Sequence, residues 1–480
     1  MIQTLLIVGI IYVAALVFFS LRARKTAVQG SKGYLFAGAN LGAVLGLFTF
    51  AATLFSTFTL LGMPDFFRQH GIGAWIFLAV ADMMMVFGII WVGHQLRKKA
   101  QQKGFNGMAG LMSHCFRSPL AGYITFGGAF IFLIPYVAIQ IRGVAIFFDG
   151  AFPHTLPIWA WALIMVGVML LYSETGGLKA IIYSDTLQGI LLLLAIWLIG
   201  ANCLGELGGL EAMFQEVGKV NEALLSTPGP KGLFTFQFFL ATFIAIGTIP
   251  YTQPQVSTRL IIMKDQRALK RMAVGMGAFA ILVILPTLFV GMYGAVLYPD
   301  LSTQDFLSKA LVQDQPQLLA AVVIIGLFAA AISTADSQIF ALGSELRSLL
   351  KGEDRRLLTV AKVAIFIFAM LAYIFSLFSS DELVMLARTS FAGTSLMAPM
   401  IFAAIYTSSP PARWLLWATL VAQLLFIGSL LGWVPNHLGA LRLDLALFTA
   451  LAAIAVLASR AQSGKQQDTP AQVQKAEEAD

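Results

Sequence analysis

Residues 326–340 read GLFAAAISTADSQIF, an apolar run that turns abruptly polar, with Ser333, Thr334, Asp336 and Ser337 inside about one helical turn. The run has the character of a helix that crosses a bilayer. A carboxylate at that depth costs about 2.5 kcal/mol or more, so an intramembrane Asp beside hydroxyls marks a candidate cation or proton site. Oxygen donors with no His or Cys beside them suit a hard cation rather than zinc or copper. The alternative is local: the hydroxyls bond back to their own helix and Asp336 faces a water-filled crevice.

Outward from this stretch the chain keeps the same character. Its 480 residues are 58% hydrophobic and 11% charged, with a mean hydropathy of +0.82. This is the composition of an all-α integral membrane protein, with no stretch left for a sizeable water-soluble domain. About thirteen hydrophobic segments are long enough to span as helices. They cover 2–20, 36–62, 73–95, 123–148, 157–172, 180–203, 233–250, 272–298, 318–342, 358–378, 383–406, 414–431 and 443–458. An odd number puts the termini on opposite faces.

Basic residues set the orientation. Loops after odd-numbered segments carry Arg22, Arg24, Lys25, Arg97, Lys98, Lys99, Arg259, Lys264, Arg267, Arg347 and Arg355, whereas loops after even-numbered ones hold Asp65, Asp149, Asp300, Asp305 and Asp381 among few cations. The positive-inside rule then predicts a multi-pass protein of the cell inner (plasma) membrane, N-terminus outside and C-terminus cytoplasmic. The net charge of +7 resides in these loops and points to no nucleic acid partner. Cys115 and Cys203 fall on opposite sides of the membrane, so no disulfide or thiolate metal site is expected. The first segment lacks a basic leader and a cleavage site and reads as a retained helix.

Long outward loops near 205–231 and 299–317 suggest the domain plan. Residues 1–35 form an additional helix and cytoplasmic loop. Residues 36–406 form a core of two halves, 36–204 and 233–406, residues 407–459 add two peripheral helices, and the polar 460–480 is a disordered tail. Five segments per half insert with opposite orientation, the arithmetic an inverted repeat requires. Such transporters place their sites where helices break near midplane. The first segment of the second half contains TIPYTQPQ (248–255) with two prolines, and that of the first half carries Thr53, Ser56, Thr57 and Thr59. Pro250 could instead simply end a helix, and the Thr run could be a packed small-residue seam. Asp185, in YSDTLQG, shares a depth with 333–337, though it could also cap its helix N-terminus. Arg142 and Arg388 lie near outer helix ends, where arginines either snorkel to the interface or line a vestibule.

Three motifs resemble those of the solute:sodium symporter family: Gly176-Gly177-Leu178-Lys179-Ala180 followed by Tyr183-Ser184-Asp185-Thr186-Leu187-Gln188; Ala330-x-x-Ser333-Thr334; and YLFAGANLG (34–42) with Leu61-Gly62-Met63-Pro64. The resemblance implies a five-plus-five inverted-repeat (LeuT-like) fold and alternating access driven by Na+. The family's sodium ligands, carried over by position, are the carbonyls of Ala52, Phe55 and Ala330 and the hydroxyls of Ser333 and Thr334. A second cation or proton site, present in some members, maps onto Asp185, Asp336, Ser333 and Ser337. Asp336 stands where the family offers a hydroxyl, and two carboxylates this close either hold a cation between them or keep a proton on one, so this second site is expected to bind sodium more strongly or to carry a proton. Leu54 stands where the proline carriers have an acidic residue. Solute-binding positions map onto Thr57, Thr59, Gln140, Tyr251, Gln253 and Gln255, with Arg142 nearby.

The sequence therefore predicts sodium-coupled symport of a small polar organic solute, an organic acid or amino acid, with solute, sodium ion and lipid bilayer as partners. The alternative is a transporter-fold sensor that binds solute and signals through a cytoplasmic partner. An enzyme is not expected, since no nucleophile with a base, metal cluster or nucleotide motif is present.

Overall fold

The structure is a computed structural model and describes the backbone of residues 2–25, 40–105, 107–173, 177–350 and 354–477. Residues 34–39 of the YLFAGANLG motif and Gly176 of the second motif lie outside the described residues.

The described chain is almost wholly helical. In order it comprises α1 (Ile2–Lys25), α2 (Ala43–Leu54), α3 (Phe58–His70), α4 (Ile76–Lys103), α5 (Met108–Phe116), α6 (Pro119–Ala151) and α7 (Ile158–Ser173). Then follow α8 (Gly177–Glu206), α9 (Leu210–Val220), α10 (Phe236–Thr252), α11 (Pro254–Ile261), α12 (Gln266–Leu297), α13 (Thr303–Ser308) and α14 (Gln317–Leu349). The last are α15 (Asp354–Phe378), α16 (Leu383–Ser395), α17 (Ala398–Tyr406), α18 (Trp414–Leu430) and α19 (Leu443–Glu477). Among the described residues 7 helices are long and apolar enough to cross a membrane, or 9 if the bent pairs α2/α3 and α16/α17 each count as one. Four shorter apolar helices, within α1, α7, α10 and α18, lie where the hydropathy puts further spans.

The exposed surface of these helices carries Trp91, Leu194, Phe366 and Trp417, as a lipid-facing surface does, while the centre is filled by α6, α12 and α14, the spans buried over most of their length. Small residues let the centre close up. A Cβ on Gly143 of α6 would meet Thr57 Cγ2 at 2.3 Å, so α6 is held hard against the turn between α2 and α3.

Three departures from regular helix shape the middle of the bundle. The first is at the end of α2, where Phe55 is extended (φ −91°, ψ 121°) and the axis bends by 60° into α3, whose first turn Phe58–Gly62 is π-helical. The second is Gln253 (φ −103°, ψ 116°) between α10 and α11, with Pro254 opening the new helix; Pro250 sits inside α10 and does not end it. The third, a 40° bend between α16 and α17, has no counterpart in the sequence reading.

Two expectations change. Helix α19 runs on to Glu477, so the expected disordered tail is helical backbone over most of its length. Ala, Gln, Lys and Glu are good helix formers, and a helix already nucleated by Leu443–Ala461 only has to propagate. Arg388 neither snorkels nor lines a vestibule. It is buried, 2.6 Å from Asp444 on α19, and stacks over Phe238 of α10 at 5.0 Å. A guanidinium inside the bundle needs a carboxylate, and Asp444 at the start of α19 supplies it.

Candidate ion and solute site

Breaking α2 releases carbonyls that the helix no longer uses. Two are taken up by side chains from other helices. Tyr136 on α6 donates its hydroxyl to the Leu54 carbonyl at 2.7 Å, and Thr334 on α14 donates to the Ala52 carbonyl at 2.9 Å. The second bond joins residues 282 positions apart, and it brings α14 against the break with its polar turn foremost. Ala52, Phe55, Ala330, Ser333 and Thr334 are all buried. Ala330 lies one turn before Thr334 on the same helix, so its carbonyl points along the axis toward that hydroxyl.

Ser333 faces the other way, donating to Asp185 Oδ1 of α8 at 2.5 Å. The second Asp185 oxygen accepts from Thr49 of α2 at 2.5 Å and from Arg259 Nη2 of α11 at 2.9 Å. The cation beside Asp185 is thus an arginine of the chain itself. Arg259 Nη2 also donates to Ser337 at 2.8 Å, Nη1 to the Gln255 carbonyl at 2.5 Å and Nε to Thr49 at 2.8 Å. Asp336 is buried, and its Oδ1 has no hydrogen-bond partner. Asp185 lies eight residues inside α8, so it is not a helix-terminal cap.

The positions mapped as solute-binding cluster around the two breaks. Gln140 accepts the Thr57 N–H at 3.3 Å and donates to the Tyr136 carbonyl at 3.2 Å. Thr59 accepts the Ser56 N–H at 3.1 Å, so its hydroxyl caps the turn. Gln255 donates to Gln253 Oε1 at 2.8 Å. Buried polar atoms of these positions lack partners, namely Thr57 Oγ1, Tyr251 Oη, Gln253 Nε2 and Gln255 Oε1, as do both polar atoms of Gln338 on α14. Buried polar groups are rarely left unpaired, and a polar ligand or ordered water would satisfy such atoms. Arg142 stands apart from this cluster, bonded through Nε to Asp381 at 2.8 Å in a partly exposed pair.

Two charged residues of the helices were not singled out by the sequence reading. Arg259 counts there as a loop cation, yet it is fully buried; the signal was its place four residues after Gln255 on the helix that Pro254 opens. Asp82, inside the apolar run of α4, is the other. Met83, Met84 and Phe87 are exposed on that helix, whereas Ala81 and Met85 are buried. At about 100° per residue Asp82 lies about 80° from the line midway between Ala81 and Met85, at the edge of the buried face. It is half-buried.

The geometry has parallels. The chain is 22% identical over 303 residues to the sodium/pantothenate symporter of Haemophilus influenzae, covering 62% of this chain and 61% of that one. It is 25% identical over 289 residues to the osmoregulated proline transporter of Bacillus subtilis, covering 56% of each. The chain thus spans about six tenths of the length of these curated relatives. Its fold matches that of a Na+-coupled sialic acid symporter solved in a substrate-bound outward-open state, with a TM-score of 0.76 at 14% identity over 95% of this chain and 97% of that one. The family model described as the sodium:solute symporter family matches residues 34–422, and the chain belongs to that family.

Proposed function

We propose that the protein is a secondary active transporter that couples the downhill entry of Na+ to the uptake of a small polar organic solute by alternating access. The observation that carries this reading is the 2.9 Å contact between the Thr334 hydroxyl and the Ala52 carbonyl. It brings oxygens from α2 and α14 together inside the bundle, with Ser333, Ala330 and Phe55 as the remaining donors. Five oxygens with no formal charge suit a monovalent ion that must leave on every cycle. Because the ion joins two helices that have to separate for release to one side, occupancy favours the state in which they are together. Solute affinity and sodium affinity then raise one another by the same factor.

Thr57, Thr59, Gln140, Tyr251, Gln253 and Gln255 form the solute side of the site. The unpaired atoms among them support this. Asp185 is the counter-ion of Arg259, and Asp336, with a free oxygen beside that network, is where a proton or second cation would enter when Arg259 withdraws. The breaks in α2/α3 and α10/α11 open the two halves, 36–204 and 233–406, at corresponding positions, which supports the inverted repeat. The chain resides in the inner membrane, N-terminus outside and C-terminus cytoplasmic, with lipid as its surroundings.

Sodium-driven counterflow in proteoliposomes tests the reading. Uptake that follows the sodium gradient, with half-saturating sodium raised by Ser333→Ala and Thr334→Ala, is the expected result. Solute binding without translocation would favour the sensor, and unchanged sodium activation in both variants would overturn the site.

A further inference from the structure

We propose that the groove between α17 and α19 binds an anionic phospholipid, with an acyl chain lying between the two helices and the phosphate resting on basic residues at their ends.

The groove encloses about 520 Å3, and its walls are almost wholly apolar. Helix α17 contributes Phe402, Ala403 and Tyr406, and α19 contributes Phe448, Ala452, Ala455 and Ser459, at the three- and four-residue spacing that puts them on one face of each helix. The small side chains of Ala403 and Ala455 are buried and form the floor, whereas Tyr406 and Val456 are exposed at the mouth. Neither wall is free to swing inward. Helix α19 is held at one end by the Arg388–Asp444 pair at 2.6 Å and at the other by the Ala412 N–H, which donates to the Ala458 carbonyl at 3.2 Å. Helix α17 is backed by Tyr251, whose ring meets that of Phe402 at 5.5 Å in an edge-on contact. The groove is therefore part of the fold, and an empty one would leave its lining without contacts on one side.

Two features choose the occupant. From Phe448 to Ser459 the groove follows about eleven residues, roughly 16 Å of helix, or half of a hydrocarbon core about 30 Å thick. It has the length of one leaflet. The second feature is charge. Tyr406, Thr407 and Ser459 put hydroxyls at one end, and tyrosine is a residue that marks the headgroup level. At the same end stand Arg460, which lines the groove, Lys99 of α4, whose ammonium donates to the Thr407 carbonyl at 2.6 Å, and Arg413, next to Ala412. Lys99 and Arg413 donate to carbonyls, and Arg460 makes no hydrogen bond or ion pair among the described residues. No described carboxylate lines the groove. An apolar slot ending in cations that no acid neutralises complements a phosphate carried on an acyl chain, as basic pockets between membrane helices do. A zwitterionic headgroup would bring its own ammonium among those cations.

The test is native mass spectrometry of the purified full-length protein, freed of its own lipid by detergent exchange. It is titrated with dioleoylphosphatidylglycerol or dioleoylphosphatidylcholine, which share their chains and differ in the headgroup. The expected result is a single phosphatidylglycerol bound with an affinity at least ten-fold above that of phosphatidylcholine. Arg460→Gln should lower the phosphatidylglycerol affinity about five-fold, the effect of one basic residue beside an anionic headgroup, and leave phosphatidylcholine unchanged. Ala452→Phe fills the slot and should weaken both lipids. Lys270→Gln removes an exposed cation of α12 that does not line the groove and should change neither. Because Arg460 is exposed, its variant decides the matter even where Ala452→Phe fails to fold. Equal affinity for the two lipids, undiminished phosphatidylglycerol binding in Arg460→Gln, or an equal loss in Lys270→Gln would overturn the site. So would a dimer that Ala452→Phe converts to monomer, since a second copy would then cover the groove.

Discussion

Arg259 Nη2 lies 2.9 Å from Asp185 Oδ2, and both side chains are almost completely shielded from solvent. Through this pair and its hydrogen bonds to Thr49 and Ser337, α11 is tied at once to α2, α8 and α14. Four helices that contribute to the proposed ion and solute site are therefore joined by one buried network. A buried pair of this kind adds little net stability over an apolar substitute, but breaking it leaves an uncompensated charge.

Arg259→Gln should accordingly be more damaging than the double variant Arg259→Gln/Asp185→Asn. The single change strands Asp185 and is expected to cost about 3–5 kcal/mol, whereas the double change removes both charges and recovers much of that. Thermal unfolding of the three proteins in one detergent reads the difference. A double variant no more stable than the single would show that the pair does not act as a unit.

Thr334 and Ser333 share the sodium assignment but differ in their second partners. Thr334 donates to Ala52, whereas Ser333 donates to Asp185. Thr334→Ser keeps the hydroxyl and should leave sodium activation close to wild type, while Thr334→Val removes it at nearly constant shape. We expect half-saturating sodium for uptake to rise about ten-fold or more in the Val variant, the effect of losing about 1.4 kcal/mol. Equal behaviour of the Ser and Val variants would remove Thr334 from the ligand set.

Tyr136→Phe probes the break itself. The Leu54 carbonyl loses the hydroxyl that now satisfies it at 2.7 Å, and a buried acceptor left alone costs about 1–3 kcal/mol. Because Phe55 is the next residue, the same variant should weaken sodium binding through the geometry of the adjacent carbonyl. Loss of stability without a change in sodium activation would confine Tyr136 to a structural role.

Much of this was legible in the sequence because hydropathy reports burial in lipid directly. The polar turn 333–337 announced itself by contrast with the apolar residues before it, and Pro254 marked the second break. The first break was faint, since no Gly or Pro falls at Phe55; it exists because Tyr136 and Thr334, distant in sequence, accommodate the carbonyls it frees. The bend between α16 and α17 was hidden for the same reason. Arg259 was misread because a cation close to the end of an apolar segment looks like an orienting loop charge, and only packing tells the two apart. Asp82 disappeared into its flanks, FLAVA and MMMVF, where averaging over a window swallows one carboxylate.

Asp265 gives a pH prediction outside the membrane-spanning segments. It caps the N-terminus of α12, accepting the Ala268 N–H at 2.7 Å, and that bond holds its carboxyl below the usual carboxylate range. A depressed folded-state value means that the contribution is present above the unfolded carboxylate value of about 4 and fades as the pH falls through the folded one. Asp265→Ala should therefore lower thermal stability near neutrality and converge with wild type in acid. A constant difference down to the lowest pH at which the protein remains folded would mean that the cap is not acting through its charge.

Helix α14, which carries the proposed sodium ligands, also reaches a second helix outside the site. Glu345, three turns beyond Thr334 on α14, is buried and accepts the N–H groups of Met108 at 2.8 Å and Ala109 at 2.6 Å, the first turn of α5. Those N–H groups have no partner within their own helix, so the carboxylate both caps α5 and fastens it to α14. If sodium binds at Thr334 as proposed, any displacement of α14 is then passed to α5 through two short bonds. Hydrogen exchange measured over 108–116 should slow on adding sodium to the wild type, because the bonds shield those amides best when α14 is held. In Glu345→Ala the same amides should exchange faster and lose their response to sodium, while the sodium-induced rise in overall thermal stability persists. If the response of 108–116 survives the substitution, α5 senses sodium by another route, and the link through Glu345 carries no coupling.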